Sequence, residues 1–230
     1  MAKALLFDLD GTLLDSVDDL TVAINRTLAS RQLPPITRSD VCLFIGKGAR
    51  VLVARALEKV LGQQPDESLI DEVLPRYLKE MKLAEGTRTK QLPGVPSALQ
   101  RLQKHGYKMA IVTNKPAAIA RRLVAQFHLI GYFETIVGAG DTPNVKPHPQ
   151  MLAEAAHRMG LSLQSCVMIG DSMNDSLAAK NAGIPALLLK TGYNEGIAID
   201  EWAKANAPSD LVFDTMIELS DFLIATERRN

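Results

Sequence analysis

Four aspartates occupy two short motifs that follow apolar runs. Asp8 and Asp10 lie in FDLDGTLLDS, and Asp171 and Asp175 lie in IGDSMND. Carboxylates brought this close together repel one another, so some of them must take up a proton unless a cation lies between them. Carboxylates, water and phosphate oxygens are typical ligands of Mg²⁺. The acidic motifs therefore predict a magnesium site that also receives a phosphate.

Two further segments supply groups that suit a phosphate. Lys146 lies in NVKPHP and Thr113 in VTNKP, and a lysine and a threonine beside the carboxylates can bind the remaining phosphate oxygens. Gly11 lets a ligand approach the backbone closely, so amides near 9–12 can donate to the same group. The chain contains neither GxxxxGK[ST] nor GxGxxG after a strand, so nothing predicts a site for a whole nucleotide.

The elements that must position these residues are predicted from hydrophobic patterning. Continuous apolar runs that end in turn residues indicate buried strands. Amphipathic stretches of helical length separate the last four of the runs. This alternation predicts an α/β fold with a doubly wound parallel sheet. The predicted strands are Ala4–Phe7, Met109–Val112, Thr135–Gly138, Cys166–Ile169 and Ala186–Leu189, and the predicted helices between them include Pro116–Phe127, Pro149–Met159 and Asp175–Ala182.

The polar residues of all four motifs follow the carboxyl ends of predicted strands. Ligands of open parallel sheets bind in the crevice outside these ends. We therefore expect four segments that are distant in sequence to converge on one crevice.

The alternation of strands and helices is interrupted after the first predicted strand, because no convincing strand occurs between residue 15 and about residue 93. Only helical patterning is found there. We predict an all-α cap domain at 16–87, inserted into a core of 1–15 and 88–230, with connections near 15–16 and 86–87 that can hinge. The predicted helices of the cap are Val17–Ser30, Arg38–Leu43, Ala49–Leu61 and Glu67–Leu83.

Composition excludes several functional classes. The 230 residues carry 26 basic and 26 acidic side chains, so the strong positive field of a nucleic-acid-binding protein is absent. No stretch approaches the roughly 20 apolar residues of a membrane span, and the first apolar run is too short for a secretion signal. Cys42 and Cys166 lie in apolar runs and are predicted to be buried and reduced. We expect a soluble cytoplasmic protein, monomeric or homodimeric, without nucleic-acid or membrane partners.

At this point the motifs can be compared with a known family. DLDGTL, the Thr113 segment, Lys146 and GDSMND, in this order, resemble the four motifs of the haloacid dehalogenase superfamily, and a helical cap after the first motif also fits. DxDG[TV] followed by GDxxxD is a highly specific pair. The segments FIGKGARVLVARAL, VTNKP, NVKPHP and TGYNEG look more narrowly like those of bacterial phosphoglycolate phosphatases. The resemblance implies a Mg²⁺-dependent phosphatase acting on a small phosphorylated metabolite.

The resemblance also implies roles for the central residues. Asp8 would attack phosphorus and form an aspartyl-phosphate. Asp10 would protonate the departing alkoxide and later accept a proton from the attacking water. Asp8, the Asp10 carbonyl and Asp171 would hold Mg²⁺, while Thr113 and Lys146 would bind phosphoryl oxygens.

Other residues are expected to support this centre. Asp175 would orient Lys146 or a metal-bound water, and Asn114 would be an extra phosphate contact. Gly11 and Thr12 would form the loop that approaches the phosphate. Read from local structure alone, Asp171 and Asp175 could simply cap the helix that follows them.

The cap offers one candidate for substrate specificity. Lys47 and Arg50 lie in GKGAR at the start of a predicted helix, where amides and cations make an anion site. We hypothesise that this site meets the far end of the substrate, such as the carboxylate of phosphoglycolate. The alternative is that the glycines only form a turn and both cations are solvated.

Several other activities remain as alternatives. A phosphatase for another monoester, such as a sugar phosphate of the N-acetylmuramate 6-phosphate type, is the main one. A β-phosphoglucomutase-like mutase is disfavoured because SVDDLTVAIN lacks the histidine expected there, and Asp10 argues against a dehalogenase. A receiver-like phosphoaspartate switch shares the aspartate, lysine and Mg²⁺, but it lacks a use for Asp10 and for the large insertion.

Overall fold

The structure, a computed structural model, describes residues 4–227 and shows an α/β fold built around one parallel sheet. Residues 1–3 and 228–230, which belong to the predicted core segments 1–15 and 88–230, lie outside the described residues. The strands are β1 (Ala4–Phe7), β2 (Leu14–Asp15), β3 (Lys90–Gln91), β4 (Lys108–Pro116), β5 (Thr135–Ala139), β6 (Cys166–Gly170), β7 (Ala186–Leu189) and β8 (Leu211–Phe213).

Ten α-helices accompany these strands in the described part of the chain. They are α1 (Val17–Ala29), α2 (Arg38–Phe44), α3 (Ala49–Leu61), α4 (Glu67–Ala84), α5 (Val95–Lys104), α6 (Ala117–Gln126), α7 (Gln150–Arg158), α8 (Met173–Ala182), α9 (Ile199–Asn206) and α10 (Met216–Glu227). No described helix has the length and apolar character needed to cross a membrane.

The main sheet has six strands in the order β5-β4-β1-β6-β7-β8, and all five pairings are parallel. From β1 the chain builds β4 and β5 on one side and later β6, β7 and β8 on the other. The change of direction places the carboxyl ends of β4, β1 and β6 side by side, as expected for a ligand crevice. The predicted fold class is confirmed.

Both faces of the sheet are covered, and the alternation of side chains along β1 shows how. Leu5 and Phe7 belong to one apolar cluster with residues of α5, α6 and α10. Ala4 and Leu6 belong to a second cluster with residues of α7, α8 and α9. Successive residues of a strand point to opposite faces, so a strand buried on both sides must be apolar throughout, as ALLF is.

Helices α1 to α4, which we call the helical insert, have an apolar cluster of their own. It includes Val17, Ile24, Val53 and Tyr77, and Ile119 of α6 joins it from the sheet side. The α2 helix begins with a capping box between Thr37 and Asp40, which satisfies amides of the first turn. The four predicted helices of this region are observed within one residue of their predicted bounds.

The chain enters and leaves the helical insert through two segments that pair as a two-stranded antiparallel ribbon. In this ribbon Leu14 pairs with Gln91 and Asp15 pairs with Lys90. Just beyond it, the Asp19 carboxylate accepts five hydrogen bonds of 2.6–3.0 Å from backbone and hydroxyl donors of residues 86–89. Burial opposes ionisation of Asp19, but the bonds from Thr89 and Thr87 outweigh it and lower its pKa. The two connections are therefore tied to one another.

The two cysteines differ from the expectation in one respect. Both are free, and Cys166 is buried as predicted. Cys42 is only partly buried, because it lies on α2 within 3.8 Å of the exposed Arg38 guanidinium. Most of the apolar run VCLFI lies in the predicted helix α2, of which Val41 is the buried residue.

Candidate active site

Asp8 lies directly after β1, at the centre of the crevice. Its backbone N–H donates to the Ile169 carbonyl of β6 at 2.9 Å, which continues the sheet by one residue. One carboxylate oxygen accepts a hydrogen bond from the Leu9 amide at 2.7 Å and lies 3.0 Å from Lys146 Nζ. The side chain is only 12% exposed, so little water reaches it except through the crevice.

Lys146 is held between two carboxylates. Its Nζ is 2.6 Å from Asp175 Oδ1 and 3.0 Å from Asp8 Oδ1, and the side chain is 1% exposed. The backbone of Lys146 exchanges two hydrogen bonds, of 2.8 and 2.9 Å, with the amide side chain of Asn114. Burial alone would lower the pKa of Lys146, but the two carboxylates raise it above its usual value. Lys146 is therefore a fixed positive charge beside Asp8.

Asp175 uses both of its oxygens within the protein. Oδ1 accepts a hydrogen bond from Lys146 Nζ. Oδ2 accepts hydrogen bonds of 2.8–3.2 Å from the amides of Asp171 and Ser172 and from the Ser172 hydroxyl. Ser172 and Asp175 also form the capping box of α8. Asp175 therefore both caps α8 and holds Lys146 in place, the two functions considered for it from the sequence.

Asp171 lies opposite Asp8 and is equally constrained. Its carboxylate accepts from the Thr12 hydroxyl at 2.6 Å and from the Tyr193 amide at 2.8 Å. A Cβ atom at Gly11 or at Gly192 would clash with this carboxylate, and Gly11 has φ +89°, which disfavours any side chain there. Both loops can therefore close over Asp171 only because they carry glycine.

The carboxylates form a site that suits a divalent cation. Oxygens of Asp8, Asp171 and Asp175 lie within 4.8 Å of one another, and all three residues are buried. Burial, followed by the charge of Asp175, raises the pKa of Asp171 well above its ordinary value. Burial likewise raises the pKa of Asp8 to about 6, although Lys146 opposes the shift. A cation between these carboxylates would relieve their repulsion. The contacts of Asp8 with Leu9 and Lys146 use only Oδ1, and each Asp171 oxygen accepts one hydrogen bond from Thr12 or Tyr193, so both carboxylates have lone pairs left to bind the ion.

The side chain of Asp10 lies apart from this cluster. One oxygen accepts from the Ser16 hydroxyl at 2.5 Å, and the other is 3.1 Å from Lys115 Nζ. These contacts hold the Asp10 carboxylate between Ser16, next to α1, and Lys115 of β4, and its charge contributes to the raised pKa of Asp8. The structure brings Asp10 to the same cavity as Asp8, Thr113 and Asn114.

A second buried lysine, which the sequence analysis did not single out, joins Asp10 to the insert. Lys115 Nζ is 3.2 Å from Glu85, which ends α4, and its side chain is 2% exposed. Arg122 reaches the other oxygen of Glu85 at 3.2 Å. Burial opposes the charge of Lys115, but Asp10 and Glu85 raise its pKa. Lys115 lies in VTNKP beside two predicted site residues, which is the signal that could have identified it.

The helical insert covers part of the crevice, and the cavity beneath it has a volume of about 50 Å³ and remains partly open to solvent. Its floor comes from the sheet and its roof from the helical insert. The polar lining includes the hydroxyl-bearing Tyr77, which is 0% exposed. Nothing in the sequence distinguishes Tyr77 from the other apolar-face residues of its helix. The lining residues are Asp8, Asp10, Leu20, Ile45, Gly46, Gly48, Ala49, Leu52, Tyr77, Met81, Thr113, Asn114, Lys115 and Pro116.

The two predicted specificity cations of the insert are not brought to this cavity. Arg50 is paired with Glu67 and Asp71, and its side chain is 43% exposed. Lys47 Nζ lies 2.6 Å from Glu195 in the loop after β7. Gly48 and Ala49 do line the cavity, so the helix start reaches the site although the two cations do not.

Contacts across the cavity hold the insert against the sheet. Glu195 binds Lys47 and also Arg55, at 2.6 and 3.1 Å. Asn114 donates to the Gly46 carbonyl at 2.9 Å. The closed arrangement is therefore supported by polar contacts on two sides of the cavity.

Comparison with known proteins agrees with this geometry. The profile of haloacid dehalogenase-like hydrolases matches residues 5–189. A phosphoglycolate phosphatase of Colwellia psychrerythraea is 35% identical over 94% of this chain and 95% of its own length. One of Vibrio cholerae is 37% identical over 97% and 98%. The crystal structure of a predicted phosphoglycolate phosphatase from Haemophilus somnus has a TM-score of 0.86 and 30% identity, covering 98% of both chains. The chain belongs to the haloacid dehalogenase-like hydrolase family.

Proposed function

We propose that this protein is a Mg²⁺-dependent phosphatase that hydrolyses 2-phosphoglycolate through an aspartyl-phosphate on Asp8. The observation that carries the proposal is the cavity of about 50 Å³ in which the Asp8 carboxylate lies beside a fixed lysine. The relatives named phosphoglycolate phosphatase support the choice of substrate.

In the first half-reaction a bond forms between Asp8 and phosphorus while the bond from phosphorus to the leaving oxygen breaks. Asp10 gives its proton to that oxygen, and the alcohol departs. Ser16 and Lys115 fix the Asp10 carboxyl group in the cavity, and a positioned acid of this kind contributes roughly 10²–10⁴ to the rate.

In the second half-reaction a water attacks the phosphorus of the aspartyl-phosphate. Its proton passes to Asp10, the bond between phosphorus and Asp8 breaks, and phosphate is released. Dividing one displacement into two uses the same acid and base in turn. Asp10 therefore ends the cycle protonated, as it began.

The charge that develops on the phosphoryl oxygens needs fixed donors and cations. Lys146, held by Asp175, supplies one positive charge without having to reorganise, and Thr113 supplies a hydroxyl from the cavity floor. Asp8 and Asp171, with the Asp10 carbonyl, would hold Mg²⁺. When bound, the ion would neutralise the repulsion between the Asp8 carboxylate and the phosphate.

The helical insert is proposed to act as a cap, with the domain limits 16–87 for the cap and 1–15 with 88–230 for the core. Its roof over the cavity would exclude water from the reacting groups, and the connections at 15–16 and 86–87 would carry the opening motion. Opening must break the contacts of Glu195 and Asn114 with the insert.

The size of the space beneath the insert favours a short leaving group. A water needs about 10–15 Å³ of such volume, so a cavity of about 50 Å³ holds only a few water-sized groups. The two-carbon acid of phosphoglycolate suits this space. A pyranose phosphate would not fit within this volume and would have to extend through the open side of the cavity.

The test is a comparison of kcat/KM for 2-phosphoglycolate, ethyl phosphate and N-acetylmuramate 6-phosphate with Mg²⁺ present. We expect the highest value for 2-phosphoglycolate, and no turnover by Asp8→Asn, which keeps the shape of the side chain. A higher value for the sugar phosphate would select that alternative substrate. Absence of turnover with every monoester would refute phosphatase activity.

A further inference from the structure

Tyr77 carries a buried hydroxyl without a partner. The residue lies on α4, is 0% exposed and lines the cavity above Asp8. Within the described part of the chain its hydroxyl makes no hydrogen bond. A buried polar group left unpaired destabilises the folded protein, so folding alone does not explain a hydroxyl at this position.

The surroundings of Tyr77 narrow the choice of partner. Among the lining residues contributed by the insert, Tyr77 has the only hydroxyl or charged side chain; the others are leucine, isoleucine, methionine, alanine and glycine. A ligand that enters from the phosphate site therefore meets an apolar roof with one hydroxyl donor.

The start of α3 adds backbone donors to the same roof. Gly48 is the N-cap of this 13-residue helix and Ala49 its first residue, and both line the cavity. The first amides of a helix have no partner within the helix, and Gly48 has no side chain with which to cap them. A helix N-terminus attracts negative charge.

The charged groups nearby do not oppose an anion. Asp10 and Glu85 are the acidic groups that face Tyr77, and their charges are balanced by Lys115 between them and by Arg122 beyond Glu85. Burial, followed by these two carboxylates, raises the pKa of Tyr77. The hydroxyl is therefore protonated near neutral pH and can donate.

We propose that the Tyr77 hydroxyl and the N-terminal amides of α3 form a subsite for a carboxylate on the leaving group of the substrate. The inference rests on the proposed function, because it places the phosphoryl group over Asp8 and the rest of the molecule beneath the insert. Tyr77 is then a specificity-determining residue. Lys47 and Arg50, which point elsewhere, are not needed for this recognition.

The test is Tyr77→Phe, which removes only the hydroxyl, measured with 2-phosphoglycolate and with ethyl phosphate, which has the same chain length but no carboxylate. We expect kcat/KM for 2-phosphoglycolate to fall roughly ten- to hundredfold, as for one hydrogen bond to a charged group. The loss for ethyl phosphate should be much smaller. Tyr107→Phe is the matched control, because its hydroxyl bonds to Leu223 away from the cavity.

Equal losses for the two substrates would show a structural role for Tyr77 and overturn the proposal, and so would the absence of any loss. The melting temperature of Tyr77→Phe should be unchanged or higher, because the hydroxyl removed has no partner in the folded protein. The wild-type protein gives an independent check that needs no variant. If it hydrolyses ethyl phosphate as efficiently as 2-phosphoglycolate, the carboxylate subsite is refuted while phosphatase activity stands.

Discussion

Two buried lysines lie between pairs of carboxylates on the two sides of the cavity, and the comparison separates what the sheet provides from what the insert provides. Lys146 binds Asp8 and Asp175, which both belong to the sheet region. Lys115 binds Asp10 from the sheet region and Glu85 from the end of α4. The first cluster is complete without the insert, whereas the second is assembled only when the insert is docked.

The two clusters also differ in charge balance. Lys146 faces Asp8 and Asp175 with Asp171 close by, which leaves an excess of negative charge. Around Lys115 the additional cation Arg122 pairs with Glu85. The first cluster can therefore accommodate a further cation, whereas the second is already neutral when Asp10 is ionised and gains a positive charge when Asp10 carries its proton. The proposed metal ligands and the proposed acid/base residue therefore lie in separate electrostatic environments.

Of the substitutions that probe the two lysine clusters, Lys146→Met should lower kcat the most, because Lys146 is the lysine of the cluster formed by residues of the sheet region. Loss of one charge-stabilising donor lowers kcat by about 10²–10³, and we expect this loss with every monoester. Leaving buried Asp175 without its partner should also cost roughly 3–5 kcal/mol of unfolding free energy. Steady-state kinetics and denaturant titration measure both, with Lys108→Met at the start of β4 as the control. Activity within tenfold of wild type would contradict the role of Lys146.

Lys115→Met should have a smaller effect, because Asp10 keeps Ser16 and Glu85 keeps Arg122. We expect kcat to fall about ten- to hundredfold, which is less than the full contribution of a general acid.

A second substitution, Glu85→Gln, sharpens this prediction. In the Lys115→Met background it removes the carboxylate left unpaired, so it should restore part of the lost stability. In the wild-type background it should destabilise. Chemical denaturation of the four proteins gives the coupling energy. Additive changes would show that the lysine and Glu85 do not interact.

The excess negative charge of the first cluster predicts how Mg²⁺ stabilises the fold at different pH values. The folded pKa of Asp8, about 6, lies above its ordinary value of 3.8. In the metal-free protein the stability that comes from neutral Asp8 is present in acid and is lost as the pH rises through about 6. Mg²⁺ binds the ionised form, so it should raise the melting temperature by several degrees at pH 7.5 and much less at pH 5. Thermal denaturation with Mg²⁺ or EDTA measures this, and Asp8→Asn should weaken the pH dependence. An equal shift at both pH values would be inconsistent with the predicted linkage.

Arg50→Ala should give the smallest effect, since its guanidinium is exposed and paired with Glu67 and Asp71 outside the cavity. Exposed pairs of this kind contribute little. We expect kcat and KM for 2-phosphoglycolate to change less than about twofold, which a direct comparison with Tyr77→Phe would reveal. A large rise in KM would instead favour the hypothesis that this cation meets the substrate.

Much of the fold could be predicted because its strands are buried on both faces and read as unbroken apolar runs. The strands missed were short: β2 and β3 have two residues each and β8 has three, too few for any periodicity. The strand predicted at 109–112 continues to Pro116, because the polar residues at its end remain extended and buried. Their burial depends on the insert and cannot be read from their own segment.

At the site, too, the residues that follow the strands could be predicted from their own segments, whereas those positioned by the docking of the insert could not. Asp8, Asp10, Thr113 and Lys146 could be predicted because the carboxyl ends of parallel strands must meet. Tyr77 and Glu85 could not, because their positions depend on how one helical segment docks on another, and α4 is simply amphipathic in sequence. The predicted roles of Lys47 and Arg50 followed from two cations at a helix start, but the structure pairs both side chains with acidic partners outside the cavity.

The paired ribbon of β2 and β3 has a consequence for the diversification of such proteins. Residues 14–15 and 90–91 are paired side by side, so the chain between them forms a loop whose two ends are held together. The entropic cost of closing such a loop grows only slowly with its length. A segment of different size or architecture can therefore be exchanged at this junction without altering the order of the strands. Such an exchange would replace the proposed specificity residues of the insert and leave the catalytic residues proposed on the sheet in place.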